Sequence, residues 1–171
     1  MGPRIFGVWY NGGMPMVREK PITDRGRDVP SVRQVSVFTE NRIGALAELL
    51  GVFDSLKVQI LALAVIHAFD CAIVRFVFND TDAATKELVD SNYRFTVCDL
   101  VAVEMPPGRD GLQRISKALL GAEIDIHYCY ALIMSEKIRP SIVVHVDNPS
   151  LAATVLGEKG FSLLDENDLR K

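Results

Sequence analysis

A shift of 66 positions lays the second half of this chain on the first. Val35, Val37, Leu46, Leu49, Phe53, Val58 and Ile60 fall on Val101, Val103, Leu112, Ile115, Leu119, Ile124 and Ile126, and every pair is apolar. Lys57-Val-Gln-Ile60 and Glu123-Ile-Asp-Ile126 share one pattern. A period of this length holds a whole small domain. The 171 residues therefore read as an N-terminal arm over 1–30, a first copy over 31–99 and a second over 100–171.

Each copy has the same local signals. Arg33 to Thr39 alternates as a strand. Glu40-Asn41-Arg42 is a polar turn, closed by Gly44, whose missing side chain permits close backbone approach. Leu46, Leu49, Leu50 and Phe53 recur at helical spacing and form one buried stripe. Gln59 to Ile66 has one polar residue, so it is a strand covered on both faces. His67 to Asp70 is a hairpin turn and Cys71 to Phe78 a third strand. Asn79 to Asp82 supplies helix caps, Leu88 and Val89 mark the second helix, and Phe95 to Cys98 is the fourth strand. The second copy begins at Leu100 with almost no linker and repeats the series, with Asn148-Pro149 starting its last helix. Asp165 to Lys171 reads as a charged tail. The order strand, helix, strand, strand, helix, strand is ferredoxin-like, an α+β fold with antiparallel sheets and both helices on one face. Apolar edge strands invite pairing. The expected partners are Ile60 to Ile66 and Ile126 to Ile133, giving one eight-stranded sheet. Phe76, Phe78 and Leu63 exceed what one helix layer covers, which predicts a homodimer.

Composition narrows the function. The net charge of −3 and pI near 5.6 favour neither nucleic acid nor an anionic membrane. No apolar run approaches the ~20 residues of a membrane span, and the N-terminus lacks a signal-peptide core. The arm carries five Lys or Arg against three acids, together with Gly12-Gly13 and four prolines. It is expected either to dock on a domain or partner subunit, or to be a disordered tail. Three cysteines, none in a CxxC pair, suggest reduced, buried thiols in a cytoplasmic protein.

No catalytic constellation emerges. His127 and Cys129 share a strand face but have no partner pair for a metal. Tyr128 and Tyr130 face the other way and are expected at a domain interface. Arg75-Phe-Val-Phe78 is a faint echo of an RNA-binding strand, without the glycines or basic surroundings of that signature. The expectation is a protein without metal, cofactor or catalysis.

Val-Ser-Val-Phe-Thr-Glu-Asn-Arg-Ile-Gly-Ala-Leu at 35–46 and Pro-Pro-Gly-Arg-Asp-Gly-Leu at 106–112 resemble the ACT domain, an amino-acid-sensing module, here as a tandem pair. Ile43-Gly44 stands where the family usually has Pro-Gly, and Gly111 is shifted by one position. The resemblance implies an amino-acid ligand held where two modules meet. Helix N-termini with free N–H groups suit its carboxylate. The residues implied are Asn41, Arg42, Ile43, Gly44, Ala45 and Leu46. The carboxylate would meet the N–H groups of Gly44 and Ala45, and Asn41 would take the ammonium. Ile43 or Leu46 would touch the ligand's side chain. Arg109, Asp110, Gly111 and Leu112 form the weaker equivalent. Two other roles fit: a regulatory subunit of an amino-acid biosynthetic enzyme, resembling the acetolactate synthase small subunit, and a protein-interaction module without a ligand.

Overall fold

The structure is a computed structural model that describes residues 29–67, 71–133 and 139–170. The arm, apart from Val29 and Pro30, lies outside these residues, as do most of the two hairpin turns.

Strand β1 (Val32–Thr39) leads through the glycine turn into α1 (Ala45–Gly51), a helix that stops before the expected Ser55 and ends in turns. Strands β2 (Ile60–His67) and β3 (Ala72–Phe78) follow. Helix α2 (Thr81–Asp90) is capped by Asp80, whose side chain accepts from Ala83 N–H. The chain then enters β4 (Arg94–Glu104), a strand of 11 residues. Helix α3 (Gly111–Leu120), β5 (Ile126–Leu132) and β6 (Ser141–Val146) come next. Helix α4 (Pro149–Glu158) has Asn148 as its cap, and β7 (Leu163–Leu164) and α5 (Glu166–Leu169) complete the chain.

All strand pairs are antiparallel in one sheet of order β2-β3-β1-β4-β6-β5, with β7 also on β4. The sheet has seven strands because β4 serves twice. Its first part pairs β1 as the last strand of the first half, and Val101 to Glu104 pair β6 as the first strand of the second. The expected boundary at 99/100 falls inside this strand. The halves join along β4. Among the described residues the expected edge pairing of β2 with β5 is reduced to one backbone hydrogen bond, from Ile133 N–H to Leu61 C=O.

That bond shows how far the sheet curls, bringing its two edges together. Strand alternation divides its residues between two faces. On the outer face Val35, Val37, Val74, Phe76, Phe78 and Phe95 bury against Leu49, Phe53, Ala84 and Leu88. Val101 and Val103 lie on the same face of β4 and bury against Ile115, Leu119 and Leu156. Phe76 and Phe78 are covered within the chain by Phe53, at ring distances of 5.7 and 5.0 Å. Leu63 packs half-buried on the same cluster, so all three residues find cover within the chain, which removes that argument for a dimer. The inner face holds Val32, Leu61, Val77, Leu100, Leu132 and Val143, closed off by Leu164 and Leu169. The C-terminal residues are therefore structural rather than a charged tail. Asp165 and Asp168 form a reciprocal capping box, and α5 buries Leu169.

Candidate functional site

The turn after β1 keeps its side-chain hydrogen bonds within the first half. Gly44 adopts φ +89°, a left-handed conformation that suits glycine. Among the described residues a Cβ built there would meet only Glu48 Oε1, at 3.9 Å. Ala45 is buried, Leu46 half-buried and Ile43 fully exposed. Asn41 Nδ2 donates to His67 Nε2 at 3.1 Å, which leaves the Asn41 carbonyl oxygen available for an ammonium. Arg42 is held by Glu40 at 2.7 Å and by both oxygens of Glu48. The Arg42 guanidinium, by hydrogen bonding first, holds the Glu48 carboxyl below its usual range. Ala45 N–H is taken by Arg42 C=O at 3.3 Å. One of the two donors expected for a carboxylate is thus engaged, while Gly44, Leu46 and Ala47 have N–H groups with no acceptor among the described residues.

The second turn is built differently. Its left-handed glycine is Gly108, at φ +107°. Gly111 is buried, and a Cβ on it would stand 3.0 Å from both Met105 Cε and Pro106 O. Its missing side chain therefore serves packing rather than access. Arg109 and Asp110 are exposed, Asp110 makes no side-chain cap, and Leu112 projects into solvent. The two turns sit at opposite ends of β4, about 33 Å apart along a strand of ~3.3 Å per residue. One chain does not bring its two turns together.

The inner face carries a polar cluster that joins the halves. Gln34 is 1 % exposed. Its Nε2 lies 2.9 Å from Ser36 Oγ, 3.0 Å from Tyr128 Oη and 3.4 Å from Cys98 Sγ, and its Oε1 accepts from Tyr130 Oη at 2.8 Å. The Arg75 guanidinium lies 3.5 Å over the Tyr128 ring, and His145 stacks parallel to that ring at 4.7 Å. Burial pushes the Tyr128 phenol up to about 12 and the Tyr130 phenol higher still. Burial also raises the Cys98 thiol. His145 is held below its ordinary value by burial, then by the nearby His127 and Arg75 charges.

Tyr128 and Tyr130 do face the other half, as their spacing implied. Gln34 was missed because a glutamine in a strand normally reads as surface. Its signal is the polar alternation Gln34, Ser36 opposite a strand with two same-face tyrosines. Arg75 was visible as the one charge in Cys71 to Phe78. His127 pairs through Nδ1 with His145 Nδ1 at 3.0 Å. Cys129 is exposed, contrary to the buried thiol expected there.

The curled antiparallel α+β sheet, covered on its outer face by helices from both halves, is of the ferredoxin-like class. The chain belongs to the ACT domain pair family, whose profile matches residues 30–171. No curated protein matches it. It is similar to the crystal structure of protein BT0572 from Bacteroides thetaiotaomicron. The identity is 27% and the TM-score 0.75, over 84% of this chain and 98% of that one. The regulatory subunits of aspartate kinase from Thermus thermophilus and Thermus flavus are also similar. They are 10% and 11% identical, with TM-scores of 0.48 and 0.49, over 77% of this chain and 93% of each of theirs.

Proposed function

We propose that this chain is a non-catalytic regulatory protein that binds an amino acid against the turn Asn41 to Leu46. The observation that carries the proposal is Gly44, left-handed and open, in the first turn of an ACT domain pair. The ligand carboxylate meets the free N–H groups of Gly44, Leu46 and Ala47, the Asn41 carbonyl oxygen takes the ammonium, and Ile43 covers the side chain. Arg109, Asp110, Gly111 and Leu112 would give only a weaker site, since Gly111 is closed by Met105 and Pro106. Among the described residues the side-chain hydrogen bonds of the turn stay within its own half, so the second wall of the site comes from another copy, in a homodimer.

A thermal-shift screen against the common amino acids tests this reading, because a ligand at 100 times its Kd adds about 2.7 kcal/mol. Gly44→Asp puts a carboxylate where the ligand's own would sit and should abolish the shift with circular dichroism unchanged. Asn41→Ala, which leaves the glycine in place, should weaken binding by about tenfold, the loss of one charge-assisted hydrogen bond. Equal binding by folded Gly44→Asp would reject the site. If no amino acid shifts the wild type, the turn is structural and the protein is an interaction module.

A further inference from the structure

The register of the sheet places Arg75 in an unusual row. Residues directly opposite on antiparallel strands share a face. On the inner face Arg75 stands opposite Ala64 on β2 and Ser36 on β1, and Ser36 stands opposite Thr96 on β4. One long cation is thus flanked by three small side chains. The row beneath it holds Ala62, Val77, Gln34 and Cys98 and is sealed by Tyr128 and Tyr130 from the other half.

Arg75 is half-buried. Among the described residues no carboxylate lies within 4.0 Å of it. Among the described residues the groups gathered around it are hydroxyls, an amide, a thiol and an imidazole, with no acidic side chain. Burial keeps the two phenols and the thiol protonated, so they supply no counter-charge. A cation withdrawn from water without an anion is costly. A guanidinium already held flat over an aromatic ring is set for planar, two-point recognition of a carboxylate.

We propose that Arg75, half-buried on the inner face, is the receptor for a small carboxylate without an ammonium group, of the 2-oxo acid class. The carboxylate supplies the missing negative charge. An amino acid would bring an ammonium to a site where the described residues offer no acid, whereas an oxo group brings only an acceptor, which the Ser36 and Thr96 hydroxyls in the row of Arg75 can meet. The ligand would touch both halves, because Arg75 belongs to the first and the tyrosine beneath it to the second. This site is separate from the turn at Gly44 and does not depend on the amino-acid reading of that turn.

Matched acids test it on the full chain. Thermal shift is measured with pyruvate and 2-oxoisovalerate, with alanine and valine, and with inorganic phosphate, each at about 10 mM so that weak binding registers. The wild type and Gly44→Asp should both be stabilised by the oxo acids. Arg75→Met, which keeps the stem and removes the charge, should lose at least about tenfold in affinity, as expected for a charged two-point contact. Arg75→Lys should retain part of the binding, since it keeps the charge without the planar fork. If Arg75→Met fails to fold, full affinity in Arg75→Lys overturns the assignment. So does any of four other results: no stabilisation of the wild type by either oxo acid, undiminished binding to folded Arg75→Met, an equal response to phosphate, or an equal Arg75-dependent response to alanine and valine. Loss of oxo-acid binding in Gly44→Asp with Arg75 intact would move the ligand to the turn and overturn the proposal as well.

Discussion

Gln34 shows how one side chain can join two halves of a molecule. A buried amide must satisfy two acceptor sites and two donors. The two Nε2 protons of Gln34 are shared among Ser36 and Cys98 from its own half and Tyr128 from the other, and its Oε1 accepts one bond, from Tyr130. Its polar partners are therefore specific, whereas the apolar residues around them need only fit. Removing one partner leaves a buried acceptor unmatched, which costs about 1–3 kcal/mol. Tyr130→Phe, which deletes only the hydroxyl that donates to Gln34 Oε1, should lower stability by about that amount, read as a shift in urea midpoint with unchanged slope. No loss would mean that water replaces the phenol.

At the scale of elements, α5 is the least expected contributor. It has four residues, too few to be helical alone, and Asp165 to Lys171 reads as a solvated tail. The capping box, Leu169 and Arg33 hold it. Arg33 binds Asp82 at 2.6 Å and Glu166 through both carboxylate oxygens, tying β1 to α2 and α5. Burial works against the Arg33 charge, but the hydrogen bonds to Asp82 and Glu166 more than offset it and raise its pKa. Leu169 is 4 % exposed and closes the apolar end of the inner face. Leu169→Ala should cost about 2–4 kcal/mol, in the range for a leucine removed from a core, and denaturant unfolding would measure it. A cost under about 0.5 kcal/mol, the level of a surface substitution, would place α5 outside the core. The sequence made the helices and most strands legible, because apolar periodicity reports which residues are buried. It did not say what buries them. The pattern alone leaves Phe76 and Phe78 awaiting another chain, while in the fold Phe53 covers them. Nor did it show that Phe95 to Cys98 and Leu100 to Glu104 are one strand, since alternation runs unbroken through Asp99 and a shared strand needs no turn residues to announce it. At the candidate turn, left-handed Gly44 was legible as a lone glycine before a helical stripe. The engagement of Ala45 N–H by Arg42 and the closure of Gly111 by Met105 and Pro106 depend on how each turn is folded, which residue types alone do not give.

The stability of the whole molecule should depend on pH through His145. In the fold its imidazole lies below the ordinary 6.5, so between the two values the unfolded chain binds more protons. Stability present above about 6.5 is then lost as pH falls toward the folded value. Urea midpoints measured at about pH 7.5 and about pH 5.5, on either side of an ordinary histidine, should differ more in the wild type than in His145→Gln. An equal drop in both would assign the dependence to other groups. The shared strand has a consequence of a different kind. A slip of one residue in an ordinary strand exchanges the faces of one sheet. In β4 the same slip would turn Phe95, Val101 and Val103 inward and Leu100 and Ala102 outward, spoiling the cores of both halves together. Each half therefore proofreads the alignment of the other, and correct pairing of β1 with β4 restricts where β6 can settle.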